Sequence, residues 1–296
     1  MNADIKNKLL KQISVNFPEV HWKSARYISS GFDNDVIILD NTTVFRFPKN
    51  SYSRKILKDE VALLAFLAKQ ISTSLPVYKF IAKNYSCGGY PMIKGSGLTK
   101  NKFKTLSATQ QRHLAMKLGT FLTELHTIPV SSIKNFNPRE RYAEKELKQL
   151  SKDATKYLYP AFSLKEKGVF NSFFTNLDFI FKQIHKKVLV HGDFSSDHFI
   201  INQKNELTGI IDFTDKAIHD PAFDFIFLWE FGSSFVRLVY KYYAGSQRNG
   251  ILERSNTYGR ASAIWNMIQA KRKGKMSYSN WYRRFKYLHN LSKNEI

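Results

Sequence analysis

The segment VLVHGDFSSDHFIINQKNELTGIIDF, residues 188–213, constrains the fold more than any other part of the chain. Its short apolar runs predict strands over Val188–Val190, Phe199–Ile201 and Gly209–Asp212, with a turn at QKNE between the last two. Aspartate and histidine fill the loop after the first run, and the third run ends on a carboxylate. Buried charge is costly unless it is paired or bound to a metal. The segment therefore predicts a hairpin with a charged site at one end.

The charged residues of this segment suit phosphoryl transfer. If the second and third strands pair, His198 and Asp212 meet at one end of the hairpin, and Asp193 lies on the adjoining loop. Phosphoryl transfer needs one acidic group to orient the attacking hydroxyl and further ligands to hold a cation against the phosphate. Mg²⁺ favours oxygen and imidazole suits softer metals, so Asp197 is the alternative ligand to His198.

These residues resemble the catalytic loop of the aminoglycoside phosphotransferases and their macrolide phosphotransferase relatives. The family pattern is His-x-Asp, four residues, Asn or His, then Ile-Asp-Phe or Ile-Asp-Trp, and further on Asp-Pro-x-x-Asp. The LTELH segment ending at residue 126 also resembles a helix end of that family. The matching residues are His191, Asp193, His198, the IIDF sequence containing Asp212, Asp220, Pro221 and Asp224.

The resemblance spans most of the C-terminal two-thirds of the chain and implies a fold and an activity. The fold is α+β and two-lobed, like the protein kinases, with a small mixed N-lobe and a larger, mainly helical C-lobe. The activity is transfer of the γ-phosphoryl group of ATP or GTP to a hydroxyl, with Mg²⁺ as cofactor. In that reading Asp193 is the catalytic acidic residue, and His198 and Asp212 bind the metal. His191 and Asp224 brace the loop.

Three residues outside the group formed by Asp193, His198 and Asp212 are interpreted as structural. Asp220 is expected to cap the helix that Pro221 opens, since proline is favoured at the first helical position. Glu124 and His126 are expected to be structural.

The N-terminal third predicts a nucleotide-binding lobe over residues 1–95, with a hinge near 91–97 and the helical lobe over 96–296. Two β-prone runs, Val36–Leu39 and Thr43–Phe47, flank the dipeptide DN, which favours a hairpin turn. Apolar residues at helical spacing follow between 56 and 67, and GGYPMIKG reads as a short strand entering the hinge.

The resemblance assigns nucleotide contacts in this lobe. Ser30 and Gly31 would cover the phosphates, and the backbone around Ile93 and Gly95 would read the base. Arg46 stands on the strand where the family carries a lysine, with Glu60 as its ion-pair partner on the next helix. Arginine stays charged and can contact both Glu60 and phosphate oxygens, but its planar fork does not mimic a lysine point charge.

After Gly97 the pattern is mainly helical. Ser107 and Gln110 form a predicted capping box ahead of a helix that ends near His126. Further helices are predicted over Pro138–Leu150, Leu164–His185, Ala222–Tyr243, Leu252–Lys271 and Ser279–Leu288.

The acceptor remains open between two classes at this point. Aminoglycosides are polycations that need an acidic pocket, for which Ser195, Asp197 and Glu230 are candidates, whereas macrolides are large apolar lactones that aromatic residues such as Trp265 would line. The net charge of +22 and the scarcity of acids after residue 230 weigh against a polycation. An aminoglycoside is the first expectation, and a macrolide or a metabolite is the alternative.

Composition bounds the remaining classes. There are 46 Lys and Arg residues against 24 Asp and Glu, but they are scattered, and the densest cluster is KRKGK at 271–275, so a nucleic-acid-binding protein is an alternative rather than the first expectation. A single cysteine excludes an intramolecular disulfide. No apolar run approaches the ~20 residues of a membrane span. We expect a cytoplasmic monomer; a kinase-like binding protein with weak catalysis is a further alternative.

Overall fold

The computed structural model describes residues 2–29, 33–141, 143–175, 177, 184, 186–245, 249–274 and 277–289. Its α-helices are α1 Asn2–Asn16, α2 Ser51–Leu67, α3 Lys100–Lys104, α4 Ala108–Thr127, α5 Val130–Ile133, α6 Ala143–Tyr157, α7 Leu164–Thr175, α8 Ser233–Tyr242, α9 Ile251–Lys273 and α10 Tyr278–Leu288. Its strands are β1 Ala25–Ile28, β2 Asn34–Leu39, β3 Thr43–Pro48, β4 Phe80–Ile81, β5 Gly88–Pro91, β6 Ser96–Gly97, β7 Arg139–Glu140, β8 Val188–Val190, β9 Phe199–Ile201, β10 Leu207–Ile210 and β11 Ala217–His219.

The N-terminal part is a five-stranded antiparallel sheet in the order β1-β2-β3-β5-β4. The predicted hairpin is confirmed as β2 and β3. Its turn places Asp40 and Asn41 at φ of 49° and 53°, a left-handed conformation that these two residue types tolerate better than most.

The two faces of this sheet bury different helices, because successive side chains of a strand point to opposite sides. Ile37 and Phe45 pack against Ile13 and Phe17, of which Ile13 belongs to α1. The alternate positions belong to the larger core that includes α2. Arg46 therefore points from β3 toward α2, where Glu60 lies.

Most of the chain after β6 is helical and shares one large apolar core. The predicted capping box is confirmed at the start of α4, where the Ser107 and Gln110 side chains and backbone N–H groups bond reciprocally. The apolar face of α4 packs on α8. No helix in the described part of the chain combines the length and apolar character needed to cross a membrane.

Two predicted helices are partly wrong. The helix expected over Pro138–Leu150 begins only at Ala143, because Arg139 and Glu140 form a strand paired in parallel with β11. The helix expected over Ala222–Tyr243 is regular only from Ser233, after two 3₁₀ turns at Pro221–Phe225 and Phe227–Phe231. Gly232, with φ of 93°, ends the irregular stretch. Of the helix expected over residues 164–185, α7 covers the first part; residues 176, 178–183 and 185 lie outside the described ones.

Two small sheets hold the loop that follows β8. One has the order β10-β9-β6, so the segment after β5 pairs directly with the predicted catalytic hairpin. The other has the order β7-β11-β8. The third predicted strand ends at Ile210 rather than at Asp212, because Asp212 turns into the left-handed region with φ of 66°.

Candidate active site

The loop after β8 is fixed by the buried Asp224. The two oxygens of its carboxylate accept hydrogen bonds from the backbone N–H groups of His191 and Gly192, at 2.8 and 2.9 Å. His126 Nε2 lies 3.0 Å from the same carboxylate, and the other ring nitrogen of His126 lies 3.0 Å from the hydroxyl of Tyr243. Burial would raise the pKa of Asp224, but the His126 contact holds it below its usual value. Asp224 is thus an ionised anchor for the loop.

The ring of His191 is also structural. It is fully buried, and burial lowers its pKa to about 4. The neutral ring donates from Nε2 to the carbonyl of Ile211 at 3.0 Å, and its Nδ1 accepts a weak bond from the Asp193 N–H at 3.4 Å. These contacts tie the loop to the chain just before Asp212.

Gly192 allows the close approach of two loops. Its φ is +87°, and a Cβ at this position would lie 2.0 Å from the carbonyl oxygen of Asp215. A side chain is excluded both by this contact and by the left-handed backbone. The glycine thereby brings the neighbouring Asp193 beside Asp215.

Asp193 carries a carboxylate with raised proton affinity. Burial raises its pKa; His198 offsets part of that rise, while Asp215 and Asp212 add to it. Its Oδ2 lies 3.7 Å from Nδ1 of His198. A half-buried carboxylate of this kind can accept a proton from a bound hydroxyl group.

His198 and Asp212 face one another across the end of the hairpin. His198 Nδ1 lies 2.8 Å from the backbone carbonyl of Asp193, so Nδ1 carries the proton and Nε2 keeps its lone pair. That Nε2 lies 3.7 Å from Oδ2 of Asp212. The two candidate metal ligands are therefore His198 Nε2 and Oδ2 of Asp212, which lie 3.7 Å apart.

Asp212 is held ionised by its surroundings. Burial favours the neutral acid, but Arg46 and a hydrogen bond from Thr214 outweigh it and lower the pKa to about 2. Thr214 Oγ1 donates to Oδ1 at 2.6 Å, and Nη2 of Arg46 lies 3.4 Å from the same oxygen. The second oxygen, Oδ2, is the one that faces His198.

Arg46 joins the N-terminal sheet to the hairpin site. Its Nη1 lies 2.7 Å from Oε1 of Glu60 on α2, and its Nη2 donates to Thr214 at 2.8 Å. The Tyr78 hydroxyl donates to the same Glu60 oxygen at 3.2 Å. Arg46 and Glu60 are only 7% and 1% exposed. The predicted ion pair is thus present, and the other end of the guanidinium reaches the predicted metal ligand Asp212.

The ligand atoms of His198 and Asp212 fit a cation whose coordination is completed by water and substrate phosphates. In the described part of the chain, no group of three or more His, Cys, Asp or Glu side chains is arranged to hold a metal ion. The pair formed by His198 and Asp212 would leave most coordination positions open. Mg²⁺ usually takes one or two protein carboxylates and completes its shell with water and substrate phosphates.

The predicted nucleotide contacts are placed only in part. Ser30 and Gly31 lie outside the described residues. Ile93 packs against Gly209 of the hairpin, and Gly95, with φ of 139°, leaves no room for a Cβ beside the Ile201 carbonyl. These positions lie next to the site, and their contact with a base stays a prediction.

Two of the predicted acceptor residues, Ser195 and Asp197, lie at the turn that carries His198, and the other two, Glu230 and Trp265, lie on other elements. Ser195 Oγ lies 3.4 Å from Nδ1 of His198, and Asp197 is exposed on the same turn. Glu230 is bound by Lys100 of α3, with 3.3 Å between Nζ and Oε2. Trp265 lies on α9 with 51% of its surface exposed. Their roles in acceptor binding stay predictions.

Three residues near the site were missed by the sequence reasoning. Thr214 could have been found, because an aspartate side chain often accepts a hydrogen bond from the backbone N–H two residues on, as Asp212 does from Thr214 at 3.3 Å. Lys100 and Lys216 carry no local signal. Lys216 is 7% exposed; burial lowers its pKa, while Glu60 and Asp59 act in the opposite direction.

A family model described as "Phosphotransferase enzyme family" matches residues 24–262. That range includes Arg46, Glu60 and the whole charged hairpin.

Solved structures of similar fold include two aminoglycoside-bound complexes. The GDP and kanamycin complex of APH(2″)-IIIa has a TM-score of 0.83 and 24% identity, covering 96% of this chain and 97% of that one. The streptomycin and ATP complex of APH(2″)-IIa has a TM-score of 0.74 and 24% identity, covering 96% of each chain.

The macrolide 2′-phosphotransferase MphH from Brachybacterium faecium is also similar. It has a TM-score of 0.73 and 17% identity, covering 99% of this chain and 100% of that one. Together these likenesses confirm the expected protein-kinase-like α+β fold.

Proposed function

Because this chain belongs to the phosphotransferase enzyme family, we propose that it transfers the γ-phosphoryl group of ATP or GTP to a hydroxyl of a small molecule, an aminoglycoside antibiotic in the first place. The observation that carries the proposal is the convergence at one end of the hairpin. His198 lies 3.7 Å from a carboxylate oxygen of Asp193 and 3.7 Å from one of Asp212, and Arg46 lies 3.4 Å from the other oxygen of Asp212.

In the proposed reaction Asp193 orients the acceptor hydroxyl and takes its proton. The acceptor oxygen forms a bond to the γ-phosphorus as the bond to the nucleoside diphosphate breaks, and the diphosphate leaves. The raised pKa of Asp193 favours the proton transfer. The neighbouring carboxylate of Asp212 stays ionised, with a pKa of about 2, so the two aspartates can serve different roles.

Asp212 and His198 would hold Mg²⁺, whose chemistry is to neutralise charge on the transferring phosphate. Arg46 is placed to steady the phosphates while Glu60 fixes its position, as the 2.7 Å ion pair supports. The lobe division that follows from this assignment puts the nucleotide on residues 1–95, with Ser30, Gly31, Ile93 and Gly95 as further contacts.

The aminoglycoside proposal is supported by the kanamycin and streptomycin bound to the similar structures. Ser195 and Asp197 lie on the catalytic turn and would face the acceptor, with Glu230 and Trp265 beyond them. Antibiotic resistance is the physiological role that follows, and we expect it to be exerted by a cytoplasmic monomer.

A macrolide is the second candidate acceptor, and the Lys100 contact favours it. That lysine compensates the charge of Glu230 and so weakens the acidic character that a polycation requires. A lactone with one amine needs less negative charge and more apolar surface, such as the exposed ring of Trp265.

The test is transfer of label from γ-labelled ATP and GTP to a panel of kanamycin-type aminoglycosides, macrolides and hydroxylated metabolites. We expect Mg²⁺-dependent label on one acceptor class with native protein and almost none with Asp193→Asn. Nucleotide binding without transfer to any acceptor would instead indicate a kinase-like binding protein. Salt-sensitive oligonucleotide binding without nucleotide binding would indicate a nucleic-acid-binding protein.

A further inference from the structure

A basic cavity has a lining separate from the residues of the proposed phosphoryl-transfer site. Its volume is about 730 Å³, within the range of small-molecule sites. Asp193, His198 and Asp212 are not among the residues that line it. The lining comes from Arg141 just after β7, from α6, from Ile184 and Lys187 before β8, and from the end of β11. Its basic and imidazole side chains are Arg141, Lys145, Lys148, Lys152, Lys187 and His219.

Three of these lysines share one face of α6. Lys145, Lys148 and Lys152 are three, four and seven residues apart, a spacing that aligns side chains along a helix. All three are exposed. They therefore present a row of ammonium groups to the cavity, with Arg141 and Lys187 as further cations around it.

The acidic residues of the lining do not cancel this charge. Glu144 is paired with Lys148 at 2.5 Å. The Asp220 carboxylate is occupied by Arg254 at 2.8 Å and is buried. Arg141 and Lys187 have carboxylate partners outside the lining, at 2.5 and 2.9 Å.

Lys145 and Lys152 carry the excess charge. Within the described ranges neither forms an ion pair or a side-chain hydrogen bond, so the cavity keeps at least these two uncompensated positive charges.

His219 adds a hydrogen-bond donor at the buried side of the cavity. It is 1% exposed, and its Nδ1 accepts the Asp220 N–H at 2.7 Å, so the proton of the neutral ring is on Nε2. Burial lowers its pKa to about 4, which keeps the ring neutral at physiological pH. In the part of the chain that the structure describes, Nε2 has no hydrogen-bond partner. Nε2 is not one of the fully enclosed, unpaired polar atoms of the described residues, so it is open to the cavity and its N–H can donate to a ligand bound there.

We infer that this basic cavity binds a small molecule carrying a di- or triphosphate chain, whose oxygens accept hydrogen bonds from Lys145, Lys152 and His219 Nε2. Phosphate oxygens only accept hydrogen bonds and carry the charge that two free ammonium groups require. The concave shape distinguishes the site from an extended nucleic-acid surface. The site also gives a local function to part of the +22 net charge, which phosphoryl transfer does not require.

The test is calorimetric titration of inorganic tripolyphosphate into the full chain at low salt with EDTA, which removes the divalent cation from the hairpin site. The cavity variant is Lys145→Glu/Lys152→Glu. The control is Lys117→Glu/Lys241→Glu, which makes the same charge change at exposed lysines outside the cavity. We expect native-like binding in the control and binding at least about tenfold weaker in the cavity variant, since hydrogen bonds to charged groups are each of that order.

His219→Phe supplies a second readout. It keeps ring contacts with Phe223 and Tyr258, whose centroids lie 4.6 and 5.6 Å away, and removes both the Nε2 donor and the Nδ1 acceptor of the Asp220 N–H. We expect several-fold weaker binding with an unchanged far-ultraviolet circular dichroism spectrum. No tripolyphosphate binding by native protein, equal loss in the cavity variant and the control, or binding of an oligonucleotide alone would each overturn the inference. Tighter binding of a nucleoside triphosphate than of tripolyphosphate, lost in the cavity variant and kept in the control, would support it and identify a nucleotide as the ligand. Equal affinity of the two, lost in the same variant, would support it and identify the phosphate chain as the recognised group.

Discussion

Replacing Arg46 by methionine should destabilise the protein strongly, independently of any effect on catalysis. The substitution leaves Glu60, which is 1% exposed, with the Tyr78 hydroxyl at 3.2 Å as its only hydrogen-bond partner among the described residues. Removing one member of a buried ion pair costs about 3–5 kcal/mol, because the remaining charge is buried without compensation. Lys216 lies near enough to Glu60 to interact electrostatically with it. We therefore expect the lower half of that range.

The double variant Arg46→Met/Glu60→Met separates pairing from packing. Buried ion pairs replaced on both sides by apolar side chains of similar volume are often neutral or stabilising. We expect the double variant to regain most of the stability that the single variant loses, while phosphoryl transfer stays low in both because the phosphate contact is gone. The difference in free energy of unfolding between the double variant and Arg46→Met measures the cost of burying the Glu60 carboxylate without its partner.

Urea unfolding followed by circular dichroism gives the free energies of unfolding for the native chain, both single variants and the double variant. Arg26→Met is the control, because Arg26 is exposed on β1 and its loss should change stability by only about 0.5 kcal/mol or less. A loss below about 1 kcal/mol for Arg46→Met, or a double variant as unstable as the sum of the singles, would show that the pair is not the buried couple described above.

Asp193→Asn should lower kcat by about 10²–10⁴ and leave nucleotide affinity near native; full activity in the transfer assay would remove its role as base. Gly192→Ala should lose folding yield or activity, because its Cβ would lie 2.0 Å from a carbonyl oxygen, and native melting temperature and activity would contradict this. Lys100→Ala should lower KM for aminoglycosides a few-fold, which is the size of effect expected of an exposed ion pair. Lys102→Ala removes a lysine that is also exposed on α3 and should leave KM unchanged. Equal effects of the two substitutions would show that Lys100 has no specific influence on which acceptor binds. The pKa of about 4 for the buried His191 lies below its unfolded value, so its contribution is present above about pH 6.5 and is lost as pH falls toward 4. Melting temperature should therefore fall across that window, and a flat profile would contradict the buried neutral ring.

Local patterns were sufficient for the hairpin elements of the site. Apolar and β-prone runs, together with turn residues, predicted β2, β3, β8 and β9 within two residues of their observed bounds. The meeting of His198 and Asp212 followed from simple strand pairing, because the register of a short hairpin fixes which residues lie at its end. The pairing of Arg46 with Glu60 came instead from the resemblance to the family, and the alternation of β3 is consistent with it.

Contacts between distant segments could not be predicted in this way. Lys100 reaches Glu230 and Lys216 enters the surroundings of Glu60 only because the helices and loops pack as they do. The strand at Arg139–Glu140 was missed for the same reason: its pairing partner, Ala217–Ile218, lies far along the chain, and nothing in its own sequence marks it as extended.

The segment that starts at Asp220 shows why helical periodicity failed there. In a regular α-helix Asp220 and Asp224, four residues apart, would lie on one face. In the structure Asp220 is the N-cap of a 3₁₀ turn over Pro221–Phe225, and three residues per turn do not align positions four apart. Asp224 consequently reaches the loop after β8, whereas Asp220 accepts from Arg254 at 2.8 Å and from the Tyr258 hydroxyl at 2.9 Å, both on α9. The tighter turn lets one short segment fix the loop after β8 and α9 at once, which a straight helix beginning at the same proline could not do.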